Sequence, residues 1–296
     1  KGAFMRLVNK ETDGILEELG DSLAFDAYRD GSGNRGRRSS ISSNTVTLTT
    51  ADDARNFKLY MTVMASANAD GSSPRTGTTF VTAVDEDAGT VTLSDQSQIT
   101  SFADNDYLFR KGDPATCMEG LASLFPLTAP SSGESFRGVD RSTDPRRHAG
   151  VRVNDTATAI EENIGLVGVK IGQVGLEGRV SMLNPIKFWE VSRRLNAKVS
   201  YDGGGSKASY GFEGFDIHTG AGTIRAVSDP DCPPNRGYVL NPSTLYLKHL
   251  EGLPHIITDD GRPSLRQASD DGIEARARAM VNMIATAPGS NGVFAI

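Results

Sequence analysis

The sequence predicts an α+β protein carrying an inserted all-β module, and three observations lead there. Helical periods open the chain and return after Asp113. Period-two runs of Val, Leu and Thr crowd the stretch from Ile41 to Lys111, and strand-and-turn patterning fills the last third. At 296 residues the chain has room for two domains of ~150 residues each.

Ile15, Leu19 and Leu23 fall at i, i+4 and i+8, flanked by Leu16 and Ala27, which predicts an amphipathic helix over Gly2 to Asp30 that stops at Gly31. Gly14 and Gly20 weaken that helix by ~1 kcal/mol each against alanine, so tertiary packing must hold it. Gly31 to Arg38, GSGNRGRR, reads as a flexible basic link. Beyond it Val46 and Leu48, then Met61, Val63 and Ala65, then Val91 and Leu93 alternate with polar residues, and DEDAGT at Asp85 to Thr90 reads as a hairpin turn. Five short strands over this stretch predict a small antiparallel barrel or sandwich.

Asp113-Pro114 has the form of an N-cap with proline at N1, predicting a helix through ATCMEGLASLF. After a long loop, Ile160, Ile164, Val167, Ile171 and Val174 make a helical stripe, with glycines off the stripe that would let another backbone approach. Arg179 to Leu183 reads as a strand, and Asn184-Pro185 caps the helix PIKFWEVSRRLN. Phe215 to His218, TGAG and Thr223 to Val227 predict a hairpin. The rigid turn SDPDCPPNRG leads into Tyr238-Val239-Leu240, and Ile273 to Ala285 mixes alanine and arginine before the terminal GVFAI.

Charge and composition narrow the function. Lys+Arg 31 against Asp+Glu 37 leaves −6, which argues against a duplex-DNA reader built on a basic surface. Two cysteines far apart exclude a disulfide framework and a cysteine-built zinc site. No run approaches the ~18 apolar residues of a membrane span. The four histidines, His148, His218, His249 and His255, show no ligand spacing. Asp259-Asp260-Gly261 and Asp270-Asp271-Gly272 lack the alternating ligands and closing glutamate of a calcium loop, and Asp229, Asp231 and Cys232 lie in a proline-fixed turn. GSGNRG follows a helix instead of preceding one, the reverse of phosphate-loop logic. No catalytic residue, metal site or cofactor is expected. Arg35, Arg37 and Arg38, with Arg146 and Arg147, are candidates for non-specific phosphate contact, the plainer reading of each group being a solvated loop or a subunit salt bridge.

Four stretches, in order, resemble the major capsid proteins of tailed bacteriophages, the Hong-Kong-97-type coat fold shared with encapsulin shells. They are GAFMRLVNKETDGILEELGDSLAFDAYRDGSG, the run from FRGVDRS to the helix at Thr156 to Val174, LNPIKFWEVSRRL, and YGFEGFDIHTGAGTIRAVSDPDCPPNRGYVLNPSTLYL. The resemblance implies a long spine helix at 1–40 in a peripheral domain, an inserted β-barrel at 41–111, and a return to the peripheral domain at 112–150. It further implies an axial domain at 151–245 and a peripheral loop with C-terminal strands at 246–296. The arm and extended hairpin that precede the spine helix in that family are missing. The chain opens at Lys1 inside a helical pattern, so a processed or partial product is expected.

What the resemblance implies about function is a non-enzymatic coat protein that forms hexamers and pentamers around double-stranded DNA. It would be assembled in the bacterial host cytoplasm and located in the virion. Its implied partners are itself, scaffolding, portal and decoration proteins and non-specifically contacted DNA, with no membrane. Candidate subunit-contact loops are those bearing Gly203, Gly204 and Lys207, and Asp259, Asp260 and Arg262. The rivals are an encapsulin-like cargo shell and a β-rich carbohydrate-binding or hydrolase protein. For the latter, most of the insert's aromatics (Phe57, Tyr60, Phe80, Phe102, Tyr107, Phe109) sit in patterns that predict core.

Overall fold

The computed structural model describes residues 2–196, 214–220, 222–250, 252–253, 255–257, 265–266, 273–274 and 276–296. They form two compact units, Lys1–Tyr28 with Gly120–Ile296, and Arg29–Glu119. The chain starts with helix α1 (Gly2–Ala27), close to the predicted span.

The unit Arg29–Glu119 is a closed barrel of antiparallel strands: β1 (Asn34–Ser42), β2 (Thr45–Leu48), β3 (Thr62–Ser66), β4 (Thr79–Asp85), β5 (Thr90–Leu93) and β6 (Tyr107–Arg110), in spatial order β1-β2-β5-β4-β3-β6. Its core follows the period-two reading. Val46, Leu48, Val63, Ala65, Val81, Val91, Leu93 and Leu108 point inward with Phe57 and Ile99, and Met61 packs at the edge. DEDAGT is the β4–β5 turn, where the Asp85 carboxylate accepts from Ala88 N–H at 2.9 Å.

Two expectations fail in this unit. GSGNRGRR is not a flexible link, because Asn34–Ser42 is a barrel strand paired to both β2 and β6. Its arginines become strand residues through ion pairing: Arg35 reaches Asp113 at 3.0 Å and Arg38 reaches Asp104 at 3.1 Å. Nor does Asp113-Pro114 start a helix; the helix in this region, α2 (Leu121–Leu124), is a single turn. The Asp113 carboxylate is taken by Arg35, and Ala115 stands at φ 58°, outside the helical region.

In the other unit a six-stranded sheet runs β11-β12-β10-β13-β20-β9. In chain order its surroundings are a short hairpin of β7 (Ser135–Phe136) and β8 (Val139–Asp140), helix α3 (Pro145–Ala149), strand β9 (Val151–Val153), helix α4 (Ile160–Gly172), strand β10 (Val180–Leu183) and helix α5 (Pro185–Asn196). The hairpin β11 (Phe215–Thr219) and β12 (Gly222–Ser228) follows, then β13 (Arg236–Leu240). Then come β14 (Leu245–His249), β15 (His255–Ile256), β16 (Leu265–Arg266), β17 (Ile273–Glu274), β18 (Ala277–Arg278), β19 (Val281–Ala285) and β20 (Gly292–Ala295).

The stripe Ile160, Ile164, Val167 and Ile171 faces the sheet as predicted, meeting Val151, Val153, Leu183, Ile224, Val239 and Phe294, while Phe188 and Val191 of α5 join the same core. Val174 lies past the helix end and is exposed. Of the stripe's glycines, Gly168 makes a close approach, since a Cβ there would stand 2.5 Å from Ile224 Cδ1; at Gly165 it would meet nothing. Asn184 caps α5 as read: its Oδ1 accepts from Ile186 N–H at 3.0 Å, and its amide donates to Cys232 O at 3.1 Å. On β13 the pleat alternates, sending Val239 to the helices and Tyr238 to the opposite face, where its ring lies 6.0 Å from Tyr28.

The terminal GVFAI lies inside this sheet: β20 pairs antiparallel with β13 and parallel with β9. Buried Asn291 secures it, its Oδ1 accepting from Asn241 N–H at 2.8 Å and its amide donating to Thr244 Oγ1 at 2.9 Å. The antiparallel pairs β14–β19, β15–β18 and β16–β17 nest one within another along the chain.

Candidate functional site

The predicted contact loops, with Gly203, Gly204, Lys207, Asp259, Asp260 and Arg262, lie outside the described residues, as do both Asp-Asp-Gly fragments. The five candidate arginines are placed. Arg35 and Arg38 are each 6% exposed in the barrel wall. Arg35 also donates to Asn56 O at 3.2 Å, and the Arg38 guanidinium covers the Phe102 ring at 4.3 Å while donating to Phe102 O at 3.0 Å. Half-buried Arg37 donates from Nε to Asn105 O at 3.3 Å and lies over Tyr107. Arg146 and Arg147 sit on α3, after the N-cap Asp144, whose carboxylate accepts from Arg147 N–H at 3.1 Å.

Among the described residues no group of three or more His, Cys, Asp or Glu could hold a metal ion, and no helix is long and apolar enough to cross a membrane. Cys117 is half-buried and Cys232 buried. The turn after β12 is polar and rigid: Asp229 accepts from Tyr28 Oη at 2.8 Å and from Asp231 N–H at 3.0 Å.

Among the described residues, two of the apolar surfaces open to water lie on α4 with α5 and on the β14–β19 ribbon. On α5, Ile186 is 58% and Trp189 48% exposed, although Phe188 between them is buried and stacks on Phe215 at 5.4 Å. Leu166 and Val169 are likewise exposed on α4, off the stripe that faces the sheet. Charged residues frame this face: Glu190 bonds Lys187 at 3.2 Å and Arg194 at 2.6 Å, and Arg194 reaches Glu161 of α4 at 3.8 Å. The Lys187 hydrogen bond, with the charges of Lys187 and Arg194, holds the Glu190 carboxyl below its ordinary range against the opposing effect of burial. The second surface is the β14–β19 ribbon, where Tyr246, Leu247, Met280 and Leu250 (82% exposed) face solvent. Isolated exposed leucines need no explanation, but grouped large apolar residues rimmed by charge mark contact surfaces.

Between the β7–β8 hairpin, α3 and the chain before β20 lies a cleft of about 630 Å³. The hairpin turns through Arg137 and Gly138, both at positive φ (51° and 82°), the requirement of a two-residue type I′ turn. That turn aims Arg137 across to β19, where it donates to Met283 O at 2.8 Å and Asn282 Oδ1 at 3.0 Å. Arg141 donates to Ser123 O at 2.7 Å, so the Phe136 ring is held by two guanidiniums, Arg141 at 3.6 Å and Arg137 at 4.9 Å. Arg146 and Arg147 complete the cationic lining, beside His148, against one acid, Asp144, and Val139, Val174 and Leu176 form apolar walls. Nε and Nη2 of Arg146 are buried with no hydrogen-bond partner among the described residues. Sequence reading found Arg146 and Arg147 but missed Phe136, Arg137 and Arg141. The available signal was the Arg-Gly pair between Phe136 and Val139, a two-residue hairpin turn.

No protein-family model matches the chain, and no curated protein matches it. Among solved structures it is similar to a chain of the cyanophage A-1(L) capsid asymmetric unit, with a TM-score of 0.43 and 16% identity, covering 62% of this chain and 61% of that one.

Proposed function

We propose that the chain is the major coat protein of a tailed-phage head, with a Hong-Kong-97-type fold, which self-associates into hexamers and pentamers around double-stranded DNA. The observation that carries this reading is the pair of apolar faces left in water, on α4 and α5 and along the ribbon, in a unit whose core is otherwise well covered. A side chain such as Leu250 or Trp189 gains on the order of 1–2 kcal/mol when water is removed from it, so the gain repeats with every neighbour in a closed assembly. The ordered sequence stretches resembling coat proteins support the same reading. In it the protein works by association and not by catalysis. Scaffolding, portal and decoration proteins are its partners, and the virion is its location.

The test is expression of the chain, with whatever sequence precedes Lys1 in its gene, followed by negative-stain electron microscopy. Closed particles are expected. Monomers at every concentration and salt would overturn the reading, and particles that package an enzyme in place of DNA would favour an encapsulin-like shell.

A second reading concerns the barrel alone. Of the insert's aromatics, Tyr60 and Phe80 lie outside the core: Tyr60 stands at φ 63° in the bend before β3, beside exposed Leu59, and Phe80 falls on the outward side of alternating β4. Exposed aromatics at one spot suit stacking on a sugar ring, and a glycan array probed with the whole chain decides it: no signal removes this reading.

A further inference from the structure

We infer that the arginine-lined cleft is a socket for the acidic face of α1 from a second copy of this chain. The inference rests on the self-assembly proposed above and names one contact within it.

The cleft's chemistry specifies the occupant. Arg137 and Arg141 line the cleft with Asp144 as the one acid, and Arg146, whose guanidinium cannot shed its proton, adds a fixed positive charge. Arg147, exposed beside it, adds a second fixed charge, and the apolar walls favour an anion carried on a hydrocarbon surface over a fully hydrated one. A volume of about 630 Å³ admits a few side chains and not a whole helix.

The chain itself supplies that surface. From Glu11 to Ala27 α1 carries six carboxylates and no lysine or arginine. Asp13, Glu17 and Asp21 recur at i, i+4 and i+8, so they share one face with Gly20 and Ala24. All three acids are exposed, and the small residues between them let the helix lie close to whatever it meets. None of the described residues lining the cleft comes from α1 of the same chain. Opposite charge on two surfaces of one chain is the pattern of a heterologous contact, which propagates around a ring.

A charge swap tests this in the whole chain, with circular dichroism confirming the fold of each variant. Arg146→Glu with Arg147→Glu, and separately Asp13→Lys with Glu17→Lys, should each raise the concentration needed for assembly by about tenfold or more, and the four changes together should restore it. If Arg146→Glu proves unable to fold, exposed Arg147→Glu against Glu17→Lys makes the same comparison. Absence of rescue in the combined variant overturns the inference while leaving self-assembly standing. So does normal assembly of the arginine variant with loss of packaged DNA, which would make the cleft a phosphate contact. A wild-type chain that never assembles removes both proposals.

Discussion

Arg75 holds Asp106 through two parallel hydrogen bonds, Nε to Oδ2 at 2.9 Å and Nη2 to Oδ1 at 2.8 Å, and the carboxylate side chain is 4% exposed. Ala103 N–H adds a third bond at 2.8 Å. Burial by itself would push this carboxyl up, but the Arg75 hydrogen bonds, the Ala103 N–H and the charges of Arg75 and Arg38 together hold it below its ordinary value. The pair ties the loop before β4 to the residue that precedes β6, and both of those strands border β3 in the closed barrel.

Removing Arg75 therefore leaves a nearly buried carboxylate without its main partner. Arg75→Met should destabilise the barrel, while Arg75→Lys should recover part of that loss without the bidentate geometry. Because the folded-state value of Asp106 is depressed, its contribution is present above pH ~4 and disappears as the pH falls through the folded value. Urea unfolding of the barrel transition from pH 7 to 3 should show a steeper acid loss in the wild type than in Arg75→Met. Parallel curves would contradict the assignment.

Asp53 behaves in the opposite sense. Burial in the turn before β3, reinforced by Asp52 and opposed by Arg29 and Arg55, raises its carboxyl to about 6. A raised folded-state value means that the favourable linkage is complete below pH ~4 and is lost as the pH climbs through about 6. Asp53→Asn should accordingly stabilise the barrel by about 1–2 kcal/mol at pH 7.5, a figure already reduced for partial solvent screening, and by almost nothing at pH 4. Thermal unfolding at the two pH values measures the difference.

How far these features could be read in advance depends on how local their causes are. The α4 stripe, the Asn184 cap and the β4–β5 turn are set by residues within a few positions of one another, and the sequence shows them directly. Strand β1 is different. Its Arg35 and Arg38 look like a solvated link until Asp113 and Asp104, some seventy residues later, supply their counter-charges. The same Arg35–Asp113 pairing undoes the helix start that Asp113-Pro114 advertises. The cleft is hidden for a related reason, since its walls come from the β7–β8 hairpin, α3, the turn after α4 and the chain before β20. The C-terminal strand reads as a peripheral appendage because nothing in GVFAI reveals that Asn291 will bond Asn241 and Thr244.

The Tyr28 hydroxyl, donated to Asp229, joins the end of α1 to the turn after β12. Burial first, then the Asp229 charge and hydrogen bond, raise the Tyr28 phenol far above its ordinary value. Its favourable contribution is therefore complete below pH ~10 and lost only as strong alkali ionises the phenol. Tyr28→Phe should cost about 1.5–3 kcal/mol, the range for a hydrogen bond to a charged acceptor. In a difference titration at the tyrosinate absorption, Tyr28→Phe should remove one group from those that ionise only on alkaline unfolding.

Trp189 is the only tryptophan, and it lies half in water on α5. If that face is covered on assembly, emission should shift to the blue as particles form, with a midpoint that follows particle count in electron micrographs. Trp189→Ala should raise the assembly concentration severalfold without lowering the monomer's thermal stability by more than about 0.5 kcal/mol, since the side chain is outside the core. An unchanged emission spectrum in assembled particles would place the face away from neighbours.

A Cβ at Gly120 would collide with the carbonyl oxygens of Asp26 and Ala27, so the chain leaves the helical unit and comes back to it at one spot. Gly31 and Glu119, at the matching ends of the barrel, also lie against each other. A module whose two ends meet can be lifted out and the gap closed by a short linker, or exchanged for another folded insert, without stretching the scaffold that holds it. The barrel is in effect a cassette. It could be removed or replaced with the ends of the rest of the chain left where they are, and the same position would accept a foreign domain.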